Sequence, residues 1–126
     1  RLTQPRRLVM ETLESSSAPL SPQTIYQISQ EKGEDIGLVT VYRTIDLLME
    51  LNLVRRVHGQ GVCHGYVTAS PGHYHHLVCR ECGKAVEFDG AQDLSVLLDR
   101  IQKQTDFIID GHLLQLQGIC PECQKD

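Results

Sequence analysis

A chain of 126 residues with no Trp and few aromatics has room for one ordinary domain or two small ones, and neither half can assemble a large aromatic core. The net charge of −4 divides unevenly: residues 1–67 carry seven Lys/Arg and seven Asp/Glu, whereas residues 68–126 carry five and nine. The acidity that argues against a polyanionic partner therefore belongs to the second half alone, and the first remains free to approach nucleic acid.

No run of 18 apolar residues occurs, which excludes a helical membrane span, and no secretory leader is visible, so a cytoplasmic protein is expected. Because the chain opens on Arg1 rather than Met, a few residues are expected to precede it. Five cysteines is an odd number, and in a reducing compartment metal ligation is the better first expectation than disulfides.

Taken in order, Thr3 and Pro5 mark a helix start, and Leu8, Val9 and Leu13 keep helical spacing to about Ser15. A Ser-rich loop follows. Ser21-Pro22 is an N-cap with proline at the first helical position, and the second helix ends near Gly33. A third helix starts near Leu38 and turns Val41, Ile45, Leu48 and Met49 inward, leaving Tyr42, Arg43, Asp46 and Glu50 mostly outside. Val54–His58 and Val62–Val67 read as two strands around a glycine turn. Ala69–Gly72 is a linker. Beyond it come a strand at His73–Cys79, a strand at Lys84–Phe88, a helix from about Ala91 to Gln104, and an extended run from Phe107 to Ile119 broken at Asp110-Gly111.

Cys79-Arg80-Glu81-Cys82-Gly83 and Cys120-Pro121-Glu122-Cys123 are paired C-x-x-C knuckles. Two intervening residues let both thiolates of a knuckle turn toward one tetrahedral ion at ~2.3 Å, so the pair specifies structural zinc; the competing readings are redox disulfides or merely buried thiols. A small α+β unit closed by metal fits the rule that domains below about 70–80 residues need a staple. His73-Tyr74-His75-His76 precedes the first knuckle, and with His58, Cys63, Glu87, Asp93 and His112 it supplies enough ligands for a second metal site. Cys63 is either a small buried hydrophobe or a soft ligand that His58, across the hairpin, would join.

Thr40-Val41-Tyr42-Arg43-Thr44 lies at the start of the third helix, where a recognition helix presents residues to base edges, with Arg6, Arg7, Arg55 and Arg56 as flanking phosphate contacts. The alternative is a solvated helix face. No catalytic triad, phosphate-cradling glycine loop or carboxylate pair suggests an enzyme.

The succession of Val39-Thr40-Val41-Tyr42-Arg43-Thr44-Ile45, Leu53-Val54, His73 through Lys84, and Gly118-Ile119-Cys120-Pro121-Glu122-Cys123 resembles the ferric uptake regulator (Fur) family over nearly the whole chain. The resemblance implies an α+β protein: a winged helix-turn-helix DNA-binding domain over residues 1–67, a hinge at 68–72, and an α+β dimerisation and metal-binding domain over 73–126. It implies a homodimer that binds palindromic operator DNA when loaded with metal, with no membrane or small-molecule substrate. Tyr42 and Arg43 match base-contacting positions, the four knuckle cysteines match the structural zinc, and His76 and Glu87 match a regulatory site that Cys63 and His58 complete. His73, His75 and His112 match an accessory site, for which Asp93 is the nearest carboxylate.

Many family members have His where Tyr74 stands, and Cys63-His64 sits where zinc-sensing members place a thiolate. The chain is therefore most similar to the zinc uptake regulator subgroup, and two or three zinc ions per chain are expected. An iron regulator or peroxide sensor of the same family is the next reading. A zinc-dependent hydrolase or a zinc-buffering module stands behind them.

Overall fold

The computed structural model describes residues 3–58, 64–72, 74–89 and 91–125, without the side chains of residues 64 and 91–93. Cys63 and His73 lie outside the described residues, as does the Asp93 side chain.

Helix α1 (Gln4–Glu14) begins after Thr3 with Pro5 in its first turn, where a missing N–H breaks no helical bond. It buries Leu8, Val9, Thr12 and Leu13. Thr12 is tolerated in the core because its hydroxyl donates to the Leu8 carbonyl at 2.7 Å. Helix α2 (Pro22–Glu31) is capped by Ser21, whose Oγ accepts from the Thr24 N–H at 3.1 Å. Helix α3 (Leu38–Glu50) buries Val41, Thr44, Ile45 and Leu48.

Helices α2 and α3 stop by the same device. Gly33 (φ +75°) and Asn52 (φ +60°) take the left-handed conformation just past each end. The next N–H groups, of Glu34 and Leu53, then reach back to the Ser29 and Leu48 carbonyls at 2.9 Å.

Strands β1 (Val54–His58) and β2 (His64–Thr68) pair antiparallel, with Val54 opposite Thr68 and His58 opposite His64. Leu20 adds a short third rung by exchanging both backbone bonds with Tyr66. That pairing brings Pro19 against Gly65, where a Cβ would collide with the proline ring, so only glycine fits this rung. The helices and hairpin close over one core of Leu8, Val9, Leu13, Ile25, Ile36, Val41, Ile45, Leu48, Val54 and Tyr66. Each such side chain contributes roughly 1.5–3 kcal/mol by leaving water.

The second half is built differently. Strands β3 (Tyr74–Cys79), β4 (Ala85–Asp89) and β5 (Gln115–Gly118) form a sheet of order β4-β3-β5. Strand β4 is antiparallel to β3, whereas β5 is parallel to it, a connection that needs a long crossover. Helix α4 (Ala91–Thr105) supplies it. The extended run expected from Phe107 to Ile119 is a strand only at Gln115–Gly118. Residues 107–114 find no strand to pair with among the described residues, and Phe107, Ile108 and Leu113 stand 71, 90 and 103 % exposed.

Among the described residues of this half, the buried side chains are His75, His76, Val78 and Cys79, while Leu77, Val86, Val96, Leu97 and Leu116 face solvent. So thin a core leaves the second half short of apolar burial of its own. No helix is long and apolar enough to cross a membrane. The architecture is α+β, a winged helix-turn-helix followed by a three-stranded sheet with one crossover helix.

Candidate metal centres and nucleic-acid face

Strand β3 ends at Cys79, and the chain reverses so that the Cys79 N–H donates to the Lys84 carbonyl at 2.8 Å and the Gly83 N–H to the Cys79 carbonyl at 2.9 Å. Gly83 (φ +83°) makes this turn without strain. The other knuckle follows β5, closed by the Cys123 N–H on the Cys120 carbonyl at 3.0 Å, and the Arg80 N–H on the Gly118 carbonyl joins the two at 2.9 Å. The parallel pairing of β3 with β5 thus carries knuckles 38 residues apart to the same end of the sheet.

All four Sγ atoms lie within 4.8 Å of one another, and none is in a disulfide. The Cys82–Cys120 separation is 3.8 Å, and a tetrahedral ion with ~2.3 Å bonds to sulfur requires ligand separations of about 3.8 Å. The residues present fit a zinc ion. N–H groups of Cys120 and Cys82 lower the Cys79 thiol to about 6. Crowding against Cys120, aided by burial and the other two sulfurs, pushes Cys123 up to about 12. Four sulfurs so close resist holding four negative charges unless a cation stands among them. Lys84 and Glu122 bridge the two knuckles with an ion pair of 2.9 Å.

The second candidate centre lies at the other end of β3. His76 is buried between two cavities. Its Nε2 is 4.0 Å from the Glu87 carboxylate. Its Nδ1 is 3.4 Å from Arg55 Nη1, which also donates to the Tyr74 carbonyl at 2.6 Å. Burial, and then the Arg55 charge, lower the His76 pKa against the opposing pull of Glu87 and the Thr68 carbonyl. Among the described residues only the four cysteines form a group of three or more close ligand atoms, so His58 is not drawn up to His76 and Glu87. It lines a cleft of about 750 Å³ with His75, His76 and His112, four of the chain's six histidines. The rings of His75 and His112 are 5.0 Å apart. Gln115 ties the wing to this sheet, accepting from the His58 N–H at 2.8 Å and donating to the His58 carbonyl at 2.9 Å.

Ser70, which the sequence offered only as linker, holds Glu87. Its N–H donates to one carboxylate oxygen at 2.8 Å and its hydroxyl to the other at 2.6 Å. Burial raises the Glu87 pKa, but the two Ser70 bonds with His76 and Arg55 outweigh it, and the net shift is downward from 4.5. The resulting stabilisation is complete above 4.5, the unfolded value, and is lost as pH falls through the depressed folded one. Ser70→Ala is expected to cost about 1.5 kcal/mol at pH 7, the lower end for a hydrogen bond to a charged group. It should also move the Glu87 carboxyl titration upward in a carbon-detected NMR experiment; an unmoved titration would leave Ser70 as linker only.

Tyr42 and Arg43 are exposed in the first turns of α3, with Thr40 half-buried beside them. Gln23 of α2 donates to the Tyr42 hydroxyl at 2.6 Å and so orients the ring, a contact across 19 residues that no local pattern signals. Arg7 is exposed on α1 with Arg6 half-buried beside it, and Arg56 is exposed, its guanidinium 5.8 Å over the Tyr66 ring. Arg55, expected as a flanking phosphate contact, donates from Nη1 to the Tyr74 carbonyl and faces His76.

The ferric uptake regulator family model matches residues 1–117. The ferric uptake regulation protein of Bacillus subtilis is 38% identical over 130 residues, covering 98% of this chain and 85% of that protein. A structure described as a zinc uptake regulator complexed with zinc and DNA superposes with a TM-score of 0.81 at 22% identity, over 99% of this chain and 84% of that one. One described as holo XcZur does so at 0.78 and 25%, over 100% and 88%. The family-model match over residues 1–117 and a relative 38% identical over 98% of the chain establish that the chain belongs to the ferric uptake regulator family.

Proposed function

We propose that this chain is a zinc-responsive repressor of metal-uptake genes that binds operator DNA as a metal-loaded homodimer. As a member of its family it is a metal-responsive transcription regulator and not an enzyme. The observation that carries the metal-regulator reading is the four-thiol cluster with tetrahedral spacing in a chain that also builds a winged helix; the zinc response rests on Cys63-His64 and on Tyr74, where many family members have His. Likeness in fold to zinc uptake regulators, one of them solved with zinc and DNA, supports it.

In this reading residues 1–67 bind DNA, 68–72 form the hinge, and 73–126 bind metal and dimerise. Cys79, Cys82, Cys120 and Cys123 hold a structural ion. His76 and Glu87, with Cys63 and His58, form the regulatory site, and His73, His75, Asp93 and His112 an accessory one. The exposed apolar side chains of the second half, among them Phe107, Ile108 and Leu113, are the surface that a second copy would cover. The protein would act in the cytoplasm, where operator DNA is.

Cys63 and His58 from the first half and His76 and Glu87 from the second would hold the ion, whose two positive charges would draw these ligands together. Their closure would fix the two halves in one orientation and so raise DNA affinity in the loaded state. Coupling of this kind is typically worth ~5–150-fold. A titration of labelled promoter DNA with Zn(II), Fe(II) and Mn(II) in separate arms tests the reading: tight binding is expected at the lowest free concentration with zinc. The B. subtilis relative, named for iron, favours an iron-responsive regulator as the second reading. A response to Fe(II) with none to Zn(II) would select it.

A further inference from the structure

Gln23 and Tyr42 meet where α2 packs on α3. Ile25 and Val41, close to them in sequence, are fully buried in the common core, so the two helices are fixed to one another there. The first turn of α2 is equally constrained. Pro22 is buried, and the Ser21 hydroxyl accepts from the Thr24 N–H at 3.1 Å and donates to the Thr24 hydroxyl at 3.0 Å. Gln23 stands on that turn, and its Nε2 donates to the Tyr42 hydroxyl at 2.6 Å. Both side chains are exposed, so neither the core nor a helix cap requires this bond. A phenol hydroxyl carries one proton and also accepts. With Gln23 donating to the oxygen, the proton points away from the amide and is left for an acceptor outside the protein. In the major groove such acceptors are purine N7, guanine O6 and thymine O4.

We propose that Gln23 is a positioning residue for sequence readout: it holds Tyr42 in one rotamer and commits its hydroxyl to donate, so that the ring meets a base-edge acceptor already oriented. The inference rests on the DNA-contacting role given to Tyr42 and names the residue that sets its selectivity. A side chain fixed before binding loses no rotamer freedom on the operator, and a hydroxyl that can only donate rejects a base edge that offers a donor in the same place. On random DNA, held through its phosphates, neither property matters. The tether therefore acts on discrimination between sequences and leaves general affinity alone.

The test uses the full chain loaded with zinc, on the promoter duplex of the titration above and on a random duplex of the same length. Gln23→Met keeps the length and helix-forming character of the side chain and removes the donor. It is expected to weaken binding to the promoter duplex roughly fivefold and to leave binding to the random duplex nearly unchanged. Tyr42→Phe should lose at least as much, and adding Gln23→Met to it should cost nothing further, because the two act through one bond. Equal losses on both duplexes, or additive losses in the double variant, overturn the proposal and make Gln23 a backbone contact in its own right. The Hα–Hβ couplings of Tyr42 in the DNA-free protein give a readout that a loss of stability does not imitate. A single rotamer is expected in wild type and averaging in Gln23→Met; identical couplings in the two would sink the idea. Failure of the wild type to prefer the promoter duplex with any metal would bring down the DNA-binding reading and this inference together, whereas a full preference kept by Gln23→Met brings down the inference alone.

Discussion

Replacing Cys79 by Ser is expected to abolish the tightly held zinc and with it the fold of the second half. Of the four knuckle cysteines Cys79 is the buried one, and its sulfur accepts N–H groups of Cys120 at 3.3 Å and Glu81 at 3.4 Å, so it organises both knuckles. Serine would leave those donors facing a shorter, harder oxygen that does not ionise near neutral pH. Zinc bound to sites of this kind contributes on the order of 10–16 kcal/mol of apparent free energy to folding. Among the described residues no apolar cluster of the second half offsets such a loss, since the large core lies in the helices and wing. The variant should lose chelator-resistant zinc by elemental analysis and elute as a monomer. Its unfolding should have two stages, with the helical half melting near its usual temperature. A variant that keeps its zinc and its dimer would show the four sulfurs to be incidental neighbours. Acid acts in the same direction as the substitution, because thiols must shed protons to bind metal, and affinity falls as pH drops.

The sequence was most legible where a local rule and the tertiary structure agree. Val41, Ile45 and Leu48 keep the helical period and are buried, and the C-x-x-C spacing directs each pair of thiols to one side of a turn. What brings the two knuckles together is not local: it is the parallel register of β5 on β3, Cys79 opposite Gly118. The extended run from Phe107 becomes a strand only at Gln115–Gly118 for the complementary reason: a strand needs a partner, and residues 107–114 find none among the described residues. Ser70 and Gln23 act through contacts spanning 17 and 19 residues, invisible to periodicity. Arg55 and Arg56 each share a strand face with a buried valine, Val57 and Val54, so alternation alone does not tell which of the two arginines turns toward β3.

Arg43→Ala should then weaken operator binding by about 1–3 kcal/mol per half-site if the guanidinium reads a base edge. The position favours that reading: Arg43 is exposed one residue beyond Tyr42, whose hydroxyl is held by Gln23, so the first turns of α3 offer an oriented ring beside an exposed cation. In a symmetric dimer both half-sites lose the contact, and the deficit on a full operator should approach twice that on a half-site. Arg56→Ala provides the contrast. A phosphate contact carries no sequence information, so its loss should weaken cognate and random duplexes alike and flatten the salt dependence by about one unit of slope. Fluorescence anisotropy on both duplexes at several salt concentrations separates the two behaviours. Equal losses for Arg43→Ala on cognate and random DNA would place Arg43 with the backbone contacts and shift the search for base readout to Tyr42 and Thr40.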